Sequence, residues 1–337
     1  MNQRDHELTR DDLPEFADVV AAADRLGRAV LRTPVLHSEA LDGLIGTRTT
    51  FKCENLQYGG AFKIRGAMNA MAVARQAGPV GQVLTHSSGN HGAALARAAR
   101  HFGSACCVVA PNDSAAVKLA KIRDLGARLV LCEPGIAARE QALQLELQRS
   151  PGLVVHPFDD AAVIAGQGTV ALEFFEQASD LGALFVPLGG GGLISGIALV
   201  AAEIAPDCQI IGVEPQLAAE AQRSLLSGRR ERQGATTTIA DGLRGSIGER
   251  NFHIVKRLVR RIVTVSDAQI AAAMLLCWQE LKILIEPSAA VGLAAALETG
   301  REFAPRPVGI VLSGGNVDLG QWLKAPAALQ SGARVRA

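Results

Sequence analysis

Residues 184–199 read LFVPLGGGGLISGIAL, and this stretch decides the fold class. Apolar residues typical of a buried strand come first, four consecutive glycines follow, and apolar residues at helical spacing come last. The order predicts one strand–loop–helix unit of an α/β protein. Although residues 181–202 carry no charge, Pro187 and the glycine run argue against a membrane span.

Similar apolar runs recur along the chain and alternate with stretches of helical periodicity. The predicted strands are residues 83–86, 106–110, 129–132, 153–156, 184–188, 210–213, 262–265 and 308–312. The main predicted helices are residues 91–102, 115–126, 137–148 and 193–204. This alternation is typical of parallel sheets covered by helices on both faces. Ligands of such sheets bind at the loops that follow the strands.

Composition excludes several classes of protein. The 337 residues carry 34 Lys and Arg against 33 Asp and Glu, so a net charge of +1 offers no general attraction to nucleic acid or anionic membranes. Aromatic residues make up only 4%, which disfavours base-stacking surfaces. The polar, acidic start of the sequence does not resemble a signal peptide. We therefore expect a cytoplasmic protein with no nucleic-acid or membrane partner.

The cysteines give no sign of a metal or redox motif. None of them forms a C-x-x-C pair, and their neighbours are apolar, so we expect buried free thiols in a reducing compartment. They are Cys53, Cys106, Cys107, Cys132, Cys208 and Cys277.

Loops rich in glycine or small polar residues follow four of the predicted strands, at residues 85–92, 189–192, 214–215 and 313–316. The glycine run could close its N–H groups around a phosphate at a helix N-terminus, or it could simply form a tight turn. Its spacing does not fit G-x-G-x-x-G, and the chain has no P-loop, H-E-x-x-H or G-x-S-x-G motif.

Other residues also allow two interpretations. Lys63, between Phe62 and Ile64, could be a desolvated nucleophile or a surface lysine. Residues 87–91 could bind a carboxylate or cap a helix, and residues 313–316 could form an ordinary turn. Glu214 and Glu220 could hold a hard cation or be a solvated pair.

Taken together, these motifs resemble those of the fold-type II pyridoxal-phosphate (PLP) enzymes, in the branch of serine/threonine dehydratases and serine racemases. The matching strings are KCENLQ (52–57), FKIRGA (62–67), THSSGNHG (85–92), VIAGQGT (163–169), GGGG (189–192), IADG (239–242), LIEPSA (284–289) and LSGGNVD (312–318). They follow the family's order from about residue 17 to residue 325. The resemblance implies an α/β, tryptophan synthase β-like fold, with two parallel-sheet domains and the active site between them.

The resemblance implies a role for each matching residue. Lys63 links covalently to PLP and, once freed, acts as the catalytic base. The glycines hold the phosphate, Asn90 bonds the ring hydroxyl, Phe62 packs on the ring, and Ser313 faces the pyridine nitrogen. The full cofactor-binding set is Phe62, Lys63, Asn90, Gly189, Gly190, Gly191, Gly192, Glu286 and Ser313. Because a serine hydroxyl does not hold that nitrogen protonated, the ring is a weaker electron sink, which favours β-elimination.

The substrate and metal sites are implied in the same way. The expected substrate-binding residues are Ser87, Ser88, Asn90, His91 and Arg139. By the resemblance the first four hold the carboxylate. Arg139 or Arg244 could favour an acidic substrate, or these arginines could simply cover the surface. Glu214, the carbonyl of Ala218 and Glu220 match a site for Mg²⁺ or another divalent cation. Two residues depart from the family pattern: Ala61 replaces a serine and Glu220 replaces an aspartate, so polarity and metal geometry could both differ.

The expected organisation follows from the family. Residues 1–69 and 158–325 would form a large PLP-binding domain, residues 70–157 a small mobile domain, and residues 326–337 a C-terminal tail. No room is left for a C-terminal regulatory domain, and a homodimer is expected.

Four functions remain open. The main hypothesis is dehydration and deamination of a 3-hydroxy amino acid (Ser, Thr or 3-hydroxyaspartate). The alternative is a serine or aspartate-type racemase, with Lys63 and Ser88 as acid and base on opposite faces; residues 156–160, HPFDD, instead resemble the dehydratases. A catalytically silent relative and a β-replacement enzyme are the remaining possibilities.

Overall fold

The computed structural model describes residues 12–87, 89–114, 116–318 and 320. The strands are β1 (Val35–Leu36), β2 (Thr49–Cys53), β3 (Gln82–His86), β4 (Ala105–Pro111), β5 (Arg128–Cys132), β6 (Leu153–Val154), β7 (Ala183–Pro187), β8 (Gln209–Pro215), β9 (Arg261–Val265) and β10 (Val308–Leu312). The helices are α1 (Phe16–Leu26), α2 (Glu39–Ile45), α3 (Lys63–Gln76), α4 (Asn90–Phe102), α5 (Ala116–Asp124), α6 (Ile136–Arg149), α7 (Ala161–Gln177), α8 (Gly192–Ile204), α9 (Glu220–Ser227), α10 (Glu249–Leu258), α11 (Asp267–Leu276) and α12 (Pro287–Thr299).

The strands of the described residues form two sheets. A six-stranded sheet has the order β1-β2-β10-β7-β8-β9, and a four-stranded sheet has the order β5-β4-β3-β6. Every pairing is parallel except that of β1 with β2. The predicted α/β class with two parallel sheets is therefore confirmed, with an antiparallel strand at one edge.

The strands differ from the sequence prediction in two main respects. β1 and β2 were not predicted: Lys52 is the last residue but one of β2, and a charged residue argues against a buried strand. The predicted strand at 153–156 is shorter: Val155 still donates its N–H to the carbonyl of Leu84 at 2.9 Å, but the chain then turns. The turn forms because His156 Nδ1 accepts the N–H of Asp159 at 2.9 Å.

Helix α3 lies between the two sheets and packs against both α7 and α4. Its crossing with α7 requires glycine, because a Cβ on Gly166 would lie 2.7 Å from the carbonyl oxygen of Arg65. Apolar clusters fill both faces of the six-stranded sheet, and a separate cluster containing Ile64 and Met71 packs α3 towards the four-stranded sheet. The start of α3 is thus fixed where the two halves meet.

Four charged side chains anchor this helix, three of them without solvent exposure and the fourth, Glu173, 15% exposed. The guanidinium of Arg65 donates to both carboxylate oxygens of Glu54 at 2.8 Å and to those of Glu173 at 2.7 and 2.9 Å. Lys52 Nζ donates to Glu173 at 2.6 Å, to Gln177 at 2.8 Å and to a backbone carbonyl. The Lys52, Glu54 and Arg65 side chains have no solvent exposure. We call Lys52, Glu54, Arg65 and Glu173 the charge quartet; its net charge is zero.

The charge quartet also sets the protonation of its members. Burial alone would raise the pKa of Glu173, but its bonds and charge contacts with Arg65 and Lys52 outweigh this and lower it below its ordinary value. Burial lowers the pKa of Lys52 despite the neighbouring Glu173. Such a group stabilises a fold only while every member is paired.

Two further sequence expectations concern the surface and the thiols. Within the described ranges, no helix is long and apolar enough to cross a membrane. All six cysteines are free thiols, as predicted, although Cys132 is partly exposed.

The division into two domains stays a proposal. Its support is that the four-stranded sheet and helices α4 to α6 all lie within the proposed small domain, residues 70–157. The predicted tail at 326–337 lies outside the described residues.

We predict that Arg65→Met will strongly destabilise the protein, because it leaves Glu54 and Glu173 buried without their shared cation. The loss should be about 3–5 kcal/mol in the free energy of unfolding, measured by urea titration followed by circular dichroism. Arg32→Met is the control: it breaks an ion pair with Glu176 in which both side chains are more than half exposed, and should cost at most about 1 kcal/mol. Equal losses in the two variants would contradict a structural role for the charge quartet.

Candidate active site

Lys63 is held at the first turn of α3 by the loop that follows β10. The N–H of Phe62 donates to the carbonyl of Ser313 at 3.1 Å, and Ala61 forms an isolated bridge with Gly314. Lys63 Nζ donates to the carbonyl of Pro157 at 2.9 Å and lies 5.0 Å from the centre of the Phe62 ring. Three predicted site residues, Phe62, Lys63 and Ser313, are therefore brought together.

The surroundings of Lys63 favour the neutral amine. Desolvation lowers its pKa from 10.5 to about 8, and the opposing charge of Glu286 is not enough to restore it. A fraction of the amine is thus unprotonated near neutral pH, as a nucleophile or a base requires. The interpretation of Lys63 as an exposed surface lysine is not supported, since this side chain is only partly exposed.

Asn90 and Glu286 meet opposite the start of α3. Asn90 is the first residue of α4, and its Nδ2 donates to Glu286 Oε1 at 2.8 Å. Glu286 precedes α12, and its N–H donates to the carbonyl of Gly314 at 3.0 Å. Burial and the charge of Asp241 raise the pKa of Glu286 to about 7. Asn90 and Glu286 are therefore bonded to each other and to the loop that follows Ser313, and the charge of Glu286 acts on Lys63.

The glycine loop connects β7 to α8. Gly191 has φ +91° and caps α8. Side chains are excluded there: a Cβ on Gly190 would lie 2.2 Å from the ring of Phe158, and one on Gly191 would lie 2.7 Å from Asn251 Cβ. The N–H groups of residues 189–191 donate no hydrogen bond within the described part of the chain. Free N–H groups at a helix N-terminus are suited to an anion such as phosphate.

Three histidines lie close to Lys63 or to one another: His86, His91 and His156. Of these, only His91 was predicted, as a carboxylate ligand. Burial is the main cause of the lowered pKa of all three, and the charge of Lys63 contributes at His91 and His156; the pKa falls to about 4 at His86 and at His156. His86 and His156 stack edge to face at 5.5 Å. All three rings are therefore neutral at neutral pH.

The tautomer of His156 is defined by its contacts. Its Nδ1 accepts the N–H groups of Asp159 and Phe158, at 2.9 and 3.4 Å, so the proton lies on Nε2. The sequence signal for His86 and His156 was their place at or just after the ends of two strands, β3 and β6, whose carboxyl ends lie at the same edge of one sheet.

The predicted substrate residues are less fully placed. Ser88 lies outside the described residues. Ser87 Oγ accepts the N–H of Gly89 at 3.4 Å, and the ring of His91 is buried with Nε2 3.4 Å from the carbonyl of Val155. Arg139, on α6, donates from Nε to the carbonyl of Gly135 at 3.3 Å, and it is close enough for its charge to lower the pKa of His86. Arg244 donates to the carbonyl of Thr238, so its guanidinium is already engaged.

Glu214 and Glu220 form a buried acidic pair behind the glycine loop. Glu214 accepts the N–H groups of Ala221 and Gln222 at 3.0 and 2.8 Å, and Glu220 accepts that of Ile247 at 2.6 Å. Burial raises the pKa of Glu214 to about 8 and that of Glu220 to about 7, and the charge of Glu220 contributes at Glu214. Ion pairing does not neutralise them, which excludes the solvated pair and suits a hard cation.

The comparisons with known proteins agree with this geometry. Residues 26–314 match the PALP family model, described as pyridoxal-phosphate dependent enzymes. The chain is 42% identical to a serine racemase of Arabidopsis thaliana over 91% of this chain and 94% of the relative. It is also 42% identical to a β-hydroxyaspartate dehydratase of Paracoccus denitrificans over 91% of this chain and 98% of the relative. The solved structure of maize serine racemase superposes with a TM-score of 0.88 at 37% identity, covering 93% and 96% of the two chains.

This chain therefore belongs to the family of pyridoxal-phosphate dependent enzymes. The family resemblance predicted from its motifs is confirmed, and PLP is the cofactor that the family implies.

We predict that Lys63 of the apoprotein will react with an amine-selective acylating reagent with a midpoint near pH 8, because desolvation destabilises its ammonium form. Peptide mass spectrometry after pulse labelling measures this, with the exposed Lys256 as an internal control. Glu286→Gln should move the midpoint of Lys63 to lower pH, since it removes a negative charge that favours the ammonium. A midpoint near 10.5, or a shift to higher pH in Glu286→Gln, would contradict this electrostatic description.

Proposed function

We propose that this protein is a PLP-dependent ammonia-lyase, which removes the β-hydroxyl of a 3-hydroxy amino acid and releases a 2-oxo acid and ammonia. The observation that carries the proposal is the desolvated amine of Lys63, with a pKa of about 8, facing the Asn90–Glu286 pair and the buried Ser313. A hydroxyaspartate dehydratase among the relatives supports elimination.

The residues present fit PLP. Residues 189–192 would hold its phosphate with free N–H groups, Asn90 its ring hydroxyl, and Ser313 its pyridine nitrogen, with Lys63 as the point of covalent attachment. When bound, PLP supplies an electron sink for the bonds at the substrate Cα. Ser313 is an uncharged partner for the nitrogen, so the sink is moderate and loss of the β-hydroxyl together with the Cα proton is favoured.

Different residues of the chain would bind the substrate and move its proton. The N-terminal end of α4, with Ser87 and Asn90, binds the substrate carboxylate through N–H and side-chain donors. Lys63 Nζ, once freed from its covalent link, takes the proton from Cα as the Cβ–O bond breaks. The leaving hydroxide takes up one proton, so that one water is lost in all. The resulting enamine takes up water and releases ammonia, so the net products are a 2-oxo acid and ammonia.

Among the hydroxy amino acids, the surroundings of Arg139 favour 3-hydroxyaspartate. Its guanidinium lies within electrostatic reach of His86, and His86 stacks on His156 next to Lys63. A cation with two neutral imidazoles can bind a second carboxylate, whereas the side chains of serine and threonine have no charge to offer it.

We predict that Arg139→Gln will raise KM for threo-3-hydroxyaspartate by about 10- to 100-fold, the factor expected when one hydrogen bond between charged groups is lost. KM for serine should change by less than about threefold. Steady-state production of 2-oxo acid measures both. Arg149→Gln is the control, because Arg149 is on the same helix, is 74% exposed and pairs with Glu146. An equal increase in KM for the two substrates would contradict the acidic-substrate proposal. Turnover by Lys63→Ala at the wild-type rate would contradict the lyase proposal itself.

The proposal includes a divalent cation held by Glu214, Glu220 and the carbonyl of Ala218. The pair is buried and acidic, and Ala218 O accepts no hydrogen bond in the described chain. The site is linked to the cofactor loop, because Glu220 holds the N–H of Ile247 and the next N–H, of Gly248, donates to the carbonyl of Gly190 at 3.1 Å. A bound cation would therefore stabilise the glycine loop from behind.

We predict that about 1 mM MgCl2 will raise the melting temperature of the wild-type protein by a few degrees, through preferential binding to the folded state. Glu220→Gln should lose this increase, since it removes a charged ligand. Differential scanning fluorimetry measures the shift, and Glu231→Gln, at an exposed pair with Arg223, is the control. The proposed site would be wrong if Glu220→Gln kept the full magnesium effect.

Racemisation is the second candidate function. It is favoured by the serine racemase at 42% identity, and it requires an acid on the face opposite Lys63. Ser88 is proposed for that role.

We further propose a homodimer in the cytoplasm. Support for a dimer comes from large apolar side chains at the surface, such as Leu226 at 82% exposure and Trp278 at 57%. The free thiols fit a reducing compartment.

A further inference from the structure

Helix α5 belongs to the four-stranded half of the molecule but bonds to loops of the other half. Lys121 Nζ donates to the carbonyl of Gly59 and to Asn316 Oδ1, both at 2.8 Å. Gly59 precedes Lys63 by four residues, and Asn316 follows β10. The Lys121 side chain also lines a cavity of about 180 Å³ whose wall includes Asn90. One cation therefore joins α5 to the two loops that border the cofactor pocket.

The bonds of Asn316 define the orientation of its amide. An ammonium can only donate, so the atom that faces Lys121 must be the oxygen. Asn316 Nδ2 then donates to the carbonyl of Gly59 and to Asn90 Oδ1, both at 2.8 Å. The Gly60 backbone packs closely on this amide, since a Cβ on Gly60 would lie 2.6 Å from Asn316 Oδ1.

The same logic fixes Asn90. Its oxygen is occupied by Asn316, so its nitrogen must face Glu286, to which it donates at 2.8 Å. The amide nitrogen carries a second hydrogen, and that hydrogen has no acceptor among the described residues. The series Lys121–Asn316–Asn90–Glu286, which we call the amide relay, therefore sets a donor at Asn90 for a bound ligand.

We propose that Lys121 is a positioning residue for the cofactor: through Asn316 it keeps the Asn90 amide turned so that an N–H group, and not the oxygen, faces the ring hydroxyl of PLP. The inference rests on the proposed role of Asn90. Without the ammonium, Asn316 Oδ1 loses its donor and the Gly59 carbonyl loses one of its two donors. The Asn316 amide is then held less firmly, and so is the Asn90 oxygen to which it donates.

The test compares variants of Lys121 in the full-length protein. Lys121→Met removes the donor and keeps most of the aliphatic stem, whereas Lys121→Arg keeps a cationic donor. Arg123→Met is the matched control, because Arg123 is an exposed cation on the same helix without a bond to the relay. Two readouts other than turnover apply: the Kd for PLP from titration of the apoprotein, and the ratio of the absorption bands of the bound cofactor, which reports on the ring hydroxyl.

We expect Lys121→Met to raise the Kd for PLP by about tenfold, the equivalent of one hydrogen bond to a charged group, and to change the band ratio. Lys121→Arg and Arg123→Met should stay within about threefold of wild type. Asn316→Leu should raise the Kd for PLP as Lys121→Met does. In the double variant the Kd should rise no further than in the weaker-binding single variant, since the two residues act in series. The melting temperature of each apoprotein checks that the variants fold.

Three results would overturn the inference. The first is an unchanged Kd and spectrum in Lys121→Met while Asn90→Ala alters both, which would leave the proposed role of Asn90 intact. The second is an equal increase in the Kd for PLP in Arg123→Met, or a Kd in the double variant that reflects the sum of the two single effects. The third is an unchanged spectrum in Asn90→Ala itself, which would remove the cofactor role of Asn90 and the amide relay together.

Discussion

The bidentate grip of Arg65 on Glu54 and Glu173 is the constraint on which the rest of the structure depends. It ties α3 to α7, and Lys52 ties the same carboxylate of Glu173 to β2, next to β10. Lys63 lies two residues before Arg65, on the same turn of α3. Because bonds at 2.6–2.9 Å in a solvent-free interior leave little freedom, the direction in which the reactive amine leaves the helix is set by charges on the far side of it.

A second consequence of this anchoring is the electrostatics of the pocket. The start of α3 is pressed against the Ser313 and Pro157 backbone, so the amine of Lys63 is desolvated and its pKa falls to about 8. Burial likewise keeps His86 and His156 neutral and raises the pKa of Glu286 to about 7. The same low-dielectric surroundings thus move the pKa values of Lys63 and Glu286, which are ordinarily far from 7, towards neutral pH.

Much of the fold could be predicted from local sequence. Strands such as β4 and β10 are uninterrupted apolar runs, and the glycines at 189–192 mark a strand-to-helix loop, so their identity needs no knowledge of distant residues. β2 could not be predicted, because Lys52 is acceptable in a central strand only when Glu173, 121 positions away, supplies the counter-charge. Short-range patterns do not contain such pairings.

In the candidate site, too, some residues could be predicted from local motifs and others could not. Lys63, Asn90, Glu286 and Ser313 lie in motifs of the family and are brought together by the fold. Lys121 and Asn316 were not assigned roles, since α5 reads as an ordinary amphipathic helix and residues 313–316 read as a turn. Their importance arises from a contact between the two halves of the molecule, which only the three-dimensional arrangement provides. The stereochemistry of the reaction depends on Ser88, which lies outside the described residues.

The most direct measurement offers the PLP-loaded protein, with Mg²⁺, L-Ser, D-Ser, L-Thr and the two threo-3-hydroxyaspartates in separate reactions. Each reaction is followed for 2-oxo acid and ammonia and for the enantiomer ratio of the remaining amino acid. We expect 2-oxo acid and ammonia in equal amounts, fastest from a 3-hydroxyaspartate, with little inversion of the remaining substrate. Inversion faster than elimination would make the protein a racemase, and no product from any of these amino acids would contradict the lyase assignment.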